Sequence, residues 1–351
     1  MTRDYQLDAY RALTMIYIVC VLHVSQFFFD VLNNCLMMFL WEMPAIFFVA
    51  GASMRYAKVK TFKETVINRF FRVIIPYWVY LVFAILILGV AYVGGAISYP
   101  LESWAFQDYV MTIVGIQFPA RGQAHLWFIF PYMVVSCMFP LMRSLINRYG
   151  WRFLMMNMVF LLFLDLIADV VKGQSPIDGL VDVCRGILGY NVFYVSGYLF
   201  YKRLTYKYIL LLTLFFVTAF FLLTKGELPN IQFHKFPFDS LFMVYGICTM
   251  LLWSVFLSKI TIPKLNVLNI WNRRGFTIYL YQGWVSLSII YVVREFFGTC
   301  SNMFVIYFML LIAVVFAFVV NSLISGICFR VEQMVVNNVR IIISTNLIKL
   351  K

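Results

Sequence analysis

Residues 7–23 read LDAYRALTMIYIVCVLH, an apolar helical run with Arg11 near one end and His23 twelve positions later. At about 1.5 Å of rise per residue the two polar groups lie roughly 18 Å apart along the axis, more than half of an apolar membrane core about 30 Å thick. One helix of this kind joins chemistry on the two sides of a bilayer, provided that the rest of the chain is built for a membrane.

The composition says that it is. Of 351 residues, 63% are hydrophobic, 19% aromatic and only 12% charged, against about 25% charged in soluble chains. The first apolar run is followed by Asn33, Asn34 and at once a second apolar run, not by a small-residue cleavage site. That pattern predicts that the first helix stays in the mature protein. The seven cysteines, at 20, 35, 137, 184, 248, 300 and 328, show no CxxC or CxxH spacing and sit mostly inside apolar runs. They read as small core residues, and no metal site is expected.

Ten apolar runs are long enough to span: 7–30, 36–56, 70–94, 124–143, 152–171, 183–201, 207–224, 237–258, 275–294 and 302–328. With the N-terminus placed in the cytoplasm, 22 of the 28 lysines and arginines fall in cytoplasmic loops and helix ends, and six (Arg121, Lys172, Arg185, Lys225, Lys235 and Arg294) fall outside. Eleven of the fifteen acidic residues lie on the outer side. This asymmetry obeys the positive-inside bias and predicts an all-α, polytopic transmembrane helical bundle of about ten spans with both termini cytoplasmic. The net charge of +13 is then topological, and no nucleic-acid partner is expected.

In this topology His23, His125 and His234 all fall in the outer half or in outer loops. The outer connection 95–123 holds Trp104, Phe106, Tyr109, Ile113 and Ile116 among few charges, and is expected to dip into the interface as a partial helix. Residues 1–330 form one transmembrane domain; 331–351 form a short cytoplasmic tail whose end, VVNNVRIIISTNLIKLK, lies on the inner leaflet or frays. FFVAGASMRYAKVK at 47–60 and FYVSGYLFYKRLTYK at 193–207 echo one another, each with an aromatic pair before a small-Gly step. Two readings stay open: a packing seam shared by both halves, or two faces of one central cavity.

Polar groups within spans are costly unless paired or facing a cavity, so each is a site candidate. Asp8 and Arg11, three apart, can pair across one turn. His23, with an ordinary pKa near 6.5, suits the role of general base toward a hydroxyl, and Arg11 suits anionic groups. In NRFFRVIIPYWVY at 68–80, Arg69 and Arg72 stand three apart at the mouth of the third run, where phosphates of a nucleotide-like donor or of lipids would suit them. Glu42, in WEMPAIFF, lies near the height of His23 and could orient its imidazole or meet a sugar hydroxyl. His125 and Trp127, in AHLWFIFP, give a polar group and an aromatic shelf at that level.

The order of these stretches resembles the acyltransferase-3 family of integral membrane acyltransferases, which modify sugars of cell-envelope glycans. LDAYRALTMIYIVCVLH is similar to its first-helix pattern of Asp, Arg and distal His, and EMPAIFFVAG to its MPLFFFxSG stretch. RFFRVIIPYW resembles its Arg-rich approach to the third helix, and AHLWFIFPYMVVSCMFPL its HLWFL helix. GFTIYLYQGWV and FRVEQM are similar to SYSIYLxHxPV and YRFIEKP. Three positions depart from the pattern. Eleven residues, not the usual ten, separate Arg11 from His23; at about 100° per residue this turns His23 about 120° away from Arg11. A one-residue π-bulge would restore the face, so a bulge or kink is expected between Ala12 and Leu22. The ninth-helix histidine is Gln282 here, and the serine of the SG step is Ala50.

The resemblance implies a membrane O-acyltransferase that moves an acyl group, acetyl in the simplest case, from cytoplasmic acyl-CoA to a hydroxyl of an envelope polysaccharide or lipid-linked glycan on the outer side of a bacterial inner membrane. It implies His23 and Glu42 as catalytic residues and Arg11, Arg69 and Arg72 as donor-binding residues. His125, Trp127 and Gln282 would serve the acceptor, and membrane lipids would surround the whole. Two rival readings are a transporter or flippase of an acyl donor or glycan, and a catalytically inactive relative, motivated by Gln282 and the first-helix spacing.

Overall fold

The computed structural model of the chain describes residues 4–28, 39–95, 106–115, 126–173, 177–227, 229–235, 237–297 and 302–349. Among the described residues there is no strand. The chain enters at α1 (Tyr5–Ile16), widens into a π-helical segment, π1 (Tyr17–Leu22), and continues as α2 (His23–Phe28). There follow α3 (Glu42–Tyr56), α4 (Phe62–Arg69), a second π segment, π2 (Phe70–Ile74), and α5 (Ile75–Val93). Next come α6 (Phe106–Ile113), α7 (Ile129–Tyr149), α8 (Trp151–Val171), α9 (Ile177–Phe200) and α10 (Tyr206–Leu223). The chain closes with α11 (Ile231–Lys235), α12 (Ser240–Lys259), α13 (Asn266–Phe297) and α14 (Met303–Lys349).

The described part of each apolar run is largely helical, and α13 and α14 extend well beyond the apolar stretches at their polar ends. Among the described residues, six segments are long and apolar enough to cross a membrane: Tyr5–Ser25, Phe62–Val93, Leu126–Tyr149, Trp151–Val171, Tyr206–Leu223 and Phe304–Ile343. The other long helices are shorter or more polar; α9, for instance, carries Asp178, Asp182 and Arg185. The chain is an all-α, multi-pass membrane protein. In the connection 95–123, α6 forms a short helix.

The chain forms two compact units. The first comprises residues 1–62 and 134–272. Its centre is the crossing of α3 and α9, where the echoed glycines meet: a Cβ on Gly51 would lie 1.8 Å from the Tyr194 carbonyl oxygen, and one on Gly197 would lie 1.9 Å from that of Phe48. The echo is thus a packing seam, in which missing side chains let two backbones touch. Around it Phe47, Tyr190, Phe193, Phe238 and Phe242 pack ring against ring. Two polar groups inside this unit are paired across helices. Asn191 donates to Asn157 Oδ1 at 3.0 Å, and Arg185 joins Asp165 at 2.7 Å and Asp182 at 3.0 Å. At the N-terminus Asp4 caps α1 through the Gln6 and Leu7 amides and pairs with Lys202 at 2.7 Å.

The second unit comprises residues 63–133 and 273–351. Here Tyr77 and Trp78 of α5 donate to the Thr112 and Ile113 carbonyls, anchoring the end of α6. Trp284 Nε1 donates to the Tyr80 hydroxyl at 3.1 Å, and Thr277 of α13 donates to Glu332 of α14 at 2.5 Å. Helix α14 spans 47 residues, roughly 70 Å at the usual rise. Residues beyond 330 continue this helix, and Val336 is buried with Phe71 and Ile75.

Candidate functional site

The spacing between Arg11 and His23 finds its resolution in π1. The His23 amide donates to the Ile18 carbonyl, five residues back rather than four. One residue is absorbed in the widened turn, which takes back about 100° of rotation and returns His23 to within roughly 20° of the Arg11 line. The bulge lies inside the interval that the spacing predicts. His23 opens α2 and is partly exposed, between buried Leu22 and Val24.

Arg11 is held in place from three directions. Its guanidinium lies 3.8 Å from Asp8, the expected pair across one turn. It also donates to Ser53 Oγ on α3 at 2.5 Å and to Asn272 Oδ1 at 3.2 Å. The Ser53 hydroxyl itself donates to the Val49 carbonyl at 2.7 Å, so its lone pairs remain for the arginine. Sequence reasoning missed Ser53 and Asn272. Ser53 stands one helical turn beyond Ala50, on the same side of α3, which was the available signal.

Glu42 begins α3 and is 1% exposed. Its Oε1 accepts from Lys235 Nζ at 2.5 Å, and Lys235 is itself buried. A buried carboxylate needs such a partner. Lys235 was missed as a site residue, although it is one of the six cations that the charge count assigns to the outer side. Beside the pair, Trp41 stacks on Tyr17 at 4.6 Å and meets Trp253 at 4.7 Å. Tyr17 also donates to the Phe39 carbonyl at 2.7 Å. Close by in sequence, His234 Nδ1 lies 2.6 Å from Asp239 Oδ2. That hydrogen bond holds the imidazole pKa above its ordinary 6.5, against partial burial, which pulls it down.

The remaining candidates belong to the second unit. Arg69 donates to the Tyr132 hydroxyl at 3.1 Å and lies over the Tyr132 ring. Arg72 is exposed within π2, where the Ile75 amide reaches back five residues to the Phe70 carbonyl. A second widened turn thus sits in the Arg-rich stretch, and nothing in the sequence announced it. Arg340 of α14 lies 4.8 Å over the Phe71 ring. Trp127 is half-buried in a short 3₁₀ turn, residues 126–128. Gln282 is fully buried in α13. His125 lies outside the described residues.

The structure therefore gathers Asp8, Arg11, Ser53 and Asn272 into one cluster, and Glu42 and Lys235 into another, both within the first unit. Arg69 and Tyr132 form a third in the second unit. Among the described residues no group of His, Cys, Asp or Glu is arranged to hold a metal ion.

Comparison with curated proteins and with solved structures gives no match. The family model described as an acyltransferase domain matches residues 4–324, nearly the whole chain. That range contains the first-helix Asp, Arg and His, the paired arginines and the Gln282 helix. On this match the chain belongs to the acyltransferase-3 family of membrane acyltransferases.

Proposed function

We propose that the protein transfers an acyl group from acyl-CoA, supplied from the cytoplasm, to a hydroxyl of an envelope polysaccharide or lipid-linked glycan on the outer face of a bacterial inner membrane. In this reaction His23 takes the proton of the acceptor hydroxyl, the oxygen attacks the thioester carbonyl, and the carbon–sulfur bond breaks. The CoA thiolate then takes the proton from His23. Arg11 carries a fixed positive charge toward anionic groups of the donor, and Arg69 and Arg72 meet its phosphates. Trp127, His125 and Gln282 serve the acceptor.

The single observation that carries this reading is π1. An inserted residue in a membrane helix would ordinarily turn every later side chain to another face; here the widened turn absorbs it directly before His23. Widened turns of this kind concentrate at functional sites.

The test is His23→Ala, assayed with a radiolabelled acetyl-CoA donor and envelope glycan acceptor. Removing a general base is expected to lower transfer by a factor of about 10² to 10⁴, with the melting temperature of the purified protein unchanged. Transfer at the wild-type rate by the folded variant would overturn the role of His23. Absence of any turnover by the wild type would overturn the acyltransferase reading.

A further inference from the structure

The Glu42–Lys235 pair leaves chemistry unused. A carboxylate offers about four acceptor positions, and Lys235 occupies one oxygen. The other, Oε2, is buried and accepts no hydrogen bond from the chain. Gln232, three residues before Lys235 on α11, likewise holds its Oε1 buried without a donor. Buried acceptors left unsatisfied are costly and uncommon in folded chains. Two of them, one on the partner of Lys235 and one three residues before it on α11, call for a ligand rich in hydrogen-bond donors.

The charge of the site narrows that ligand. Glu42 and Lys235 neutralise one another, so a cation would have to displace Lys235, and an anion would face the carboxylate. A neutral polyhydroxyl compound meets neither obstacle. The aromatic surroundings point the same way. Tyr17, Trp41 and Trp253 form a contiguous run of rings, and all three are partly exposed. Such faces receive the C–H face of a sugar ring while carboxylate and amide oxygens take its hydroxyls. Tyr17 also opens π1, the segment that ends directly before His23.

We infer that Tyr17, Trp41, Trp253, Glu42 and Gln232 form a binding subsite for a neutral sugar ring of the acceptor glycan, with Lys235 fixing the Glu42 carboxylate. This assignment rests on the acyltransferase reading for its role in turnover, but not for its chemistry. Glu42 is accordingly a substrate-binding residue in this assignment, held by Lys235 rather than serving to orient His23.

The experiment uses the purified full-length protein in lipid nanodiscs. Methyl glucoside, methyl galactoside and N-acetylglucosamine are titrated separately while tryptophan emission is followed. At least one sugar is expected to change the emission saturably, and Trp41→Phe, Glu42→Gln and Gln232→Leu are each expected to weaken its apparent Kd about tenfold. In transfer assays the same variants raise KM for the glycan by a similar factor while KM for acetyl-CoA stays in place. Gln232→Leu leaves the ion pair intact, so it reports even if Glu42→Gln fails to fold. No emission response to any of the sugars, or variants that bind and transfer like the wild type, would overturn the subsite and leave the pair a structural latch. A wild type that binds a sugar through these residues yet never turns over acetyl-CoA would keep the subsite and overturn the acyltransferase reading instead.

Discussion

At the residue scale, Asp239 does two jobs with one carboxylate. Oδ1 accepts from the Phe242 amide at 2.9 Å and caps α12, while Oδ2 meets His234 at 2.6 Å. The hydrogen bond raises the folded-state pKa of His234 above its unfolded value. Stability from such a group is fully present below the unfolded pKa and is lost as pH rises through the folded one. Melting curves from about pH 5 to about pH 9 should therefore show the wild type more stable than His234→Gln at the acid end, with the gap closing as pH passes upward through neutrality. A gap that is constant with pH would show that His234 packs without titrating. Legibility at this scale depended on sequence distance. Asp8 with Arg11 was readable because three residues make one helical turn. Glu42 with Lys235 lies 193 residues apart in the chain, and only the folding of α11 brings the two together. His125, equally prominent in the sequence, lies outside the described residues.

At the element scale, the two π segments are the features that a hydropathy reading passes over, since a widened turn leaves composition untouched. The first was readable because the family pattern supplied a reference count between Arg11 and His23. The second, between Arg69 and Ile75, had no such reference. The same logic gives an indel prediction. Deleting Cys20 from π1 leaves ten residues between Arg11 and His23, and a regular helix then places them within about 20° of one another, so transfer activity should survive. Inserting one alanine after Leu13 adds about 100° that π1 has already used its one widened turn to absorb. That variant should insert and fold but lose transfer. Equal activity in the deletion and insertion variants, measured with radiolabelled donor, would show that the phase of His23 is irrelevant. Helix ends were read less well than helix centres. The last apolar run ends at residue 328, yet the helix runs on to Lys349, with Val336 buried against Phe71 and Ile75 beyond that run.

At the scale of the whole molecule, the all-α, multi-pass membrane class followed from composition and the apolar runs, six of which hold, among the described residues, helices long and apolar enough to span. How the helices pack did not, apart from the glycine echo. Gly51 and Gly197 allow a direct test against Gly186, which lies on the same helix as Gly197 but would meet nothing within 4 Å if given a Cβ. Gly51→Val or Gly197→Val should cost about 3 kcal/mol or more of stability. Gly186→Ala should be neutral or gain up to about 1 kcal/mol. Thermal melts of the purified proteins in detergent check both, and equal melting temperatures for Gly197→Val and the wild type would remove the seam from the account. The reciprocal arrangement has a genetic corollary. When a bulky residue invades an ordinary interface, a second mutation can make room by shrinking its neighbour. Here each glycine abuts a backbone carbonyl on the facing helix, and a carbonyl cannot be trimmed by mutation. A search for second-site suppressors of Gly197→Val should recover reversion, or shifts of the entire α3–α9 crossing, but no compensating substitution at Phe48.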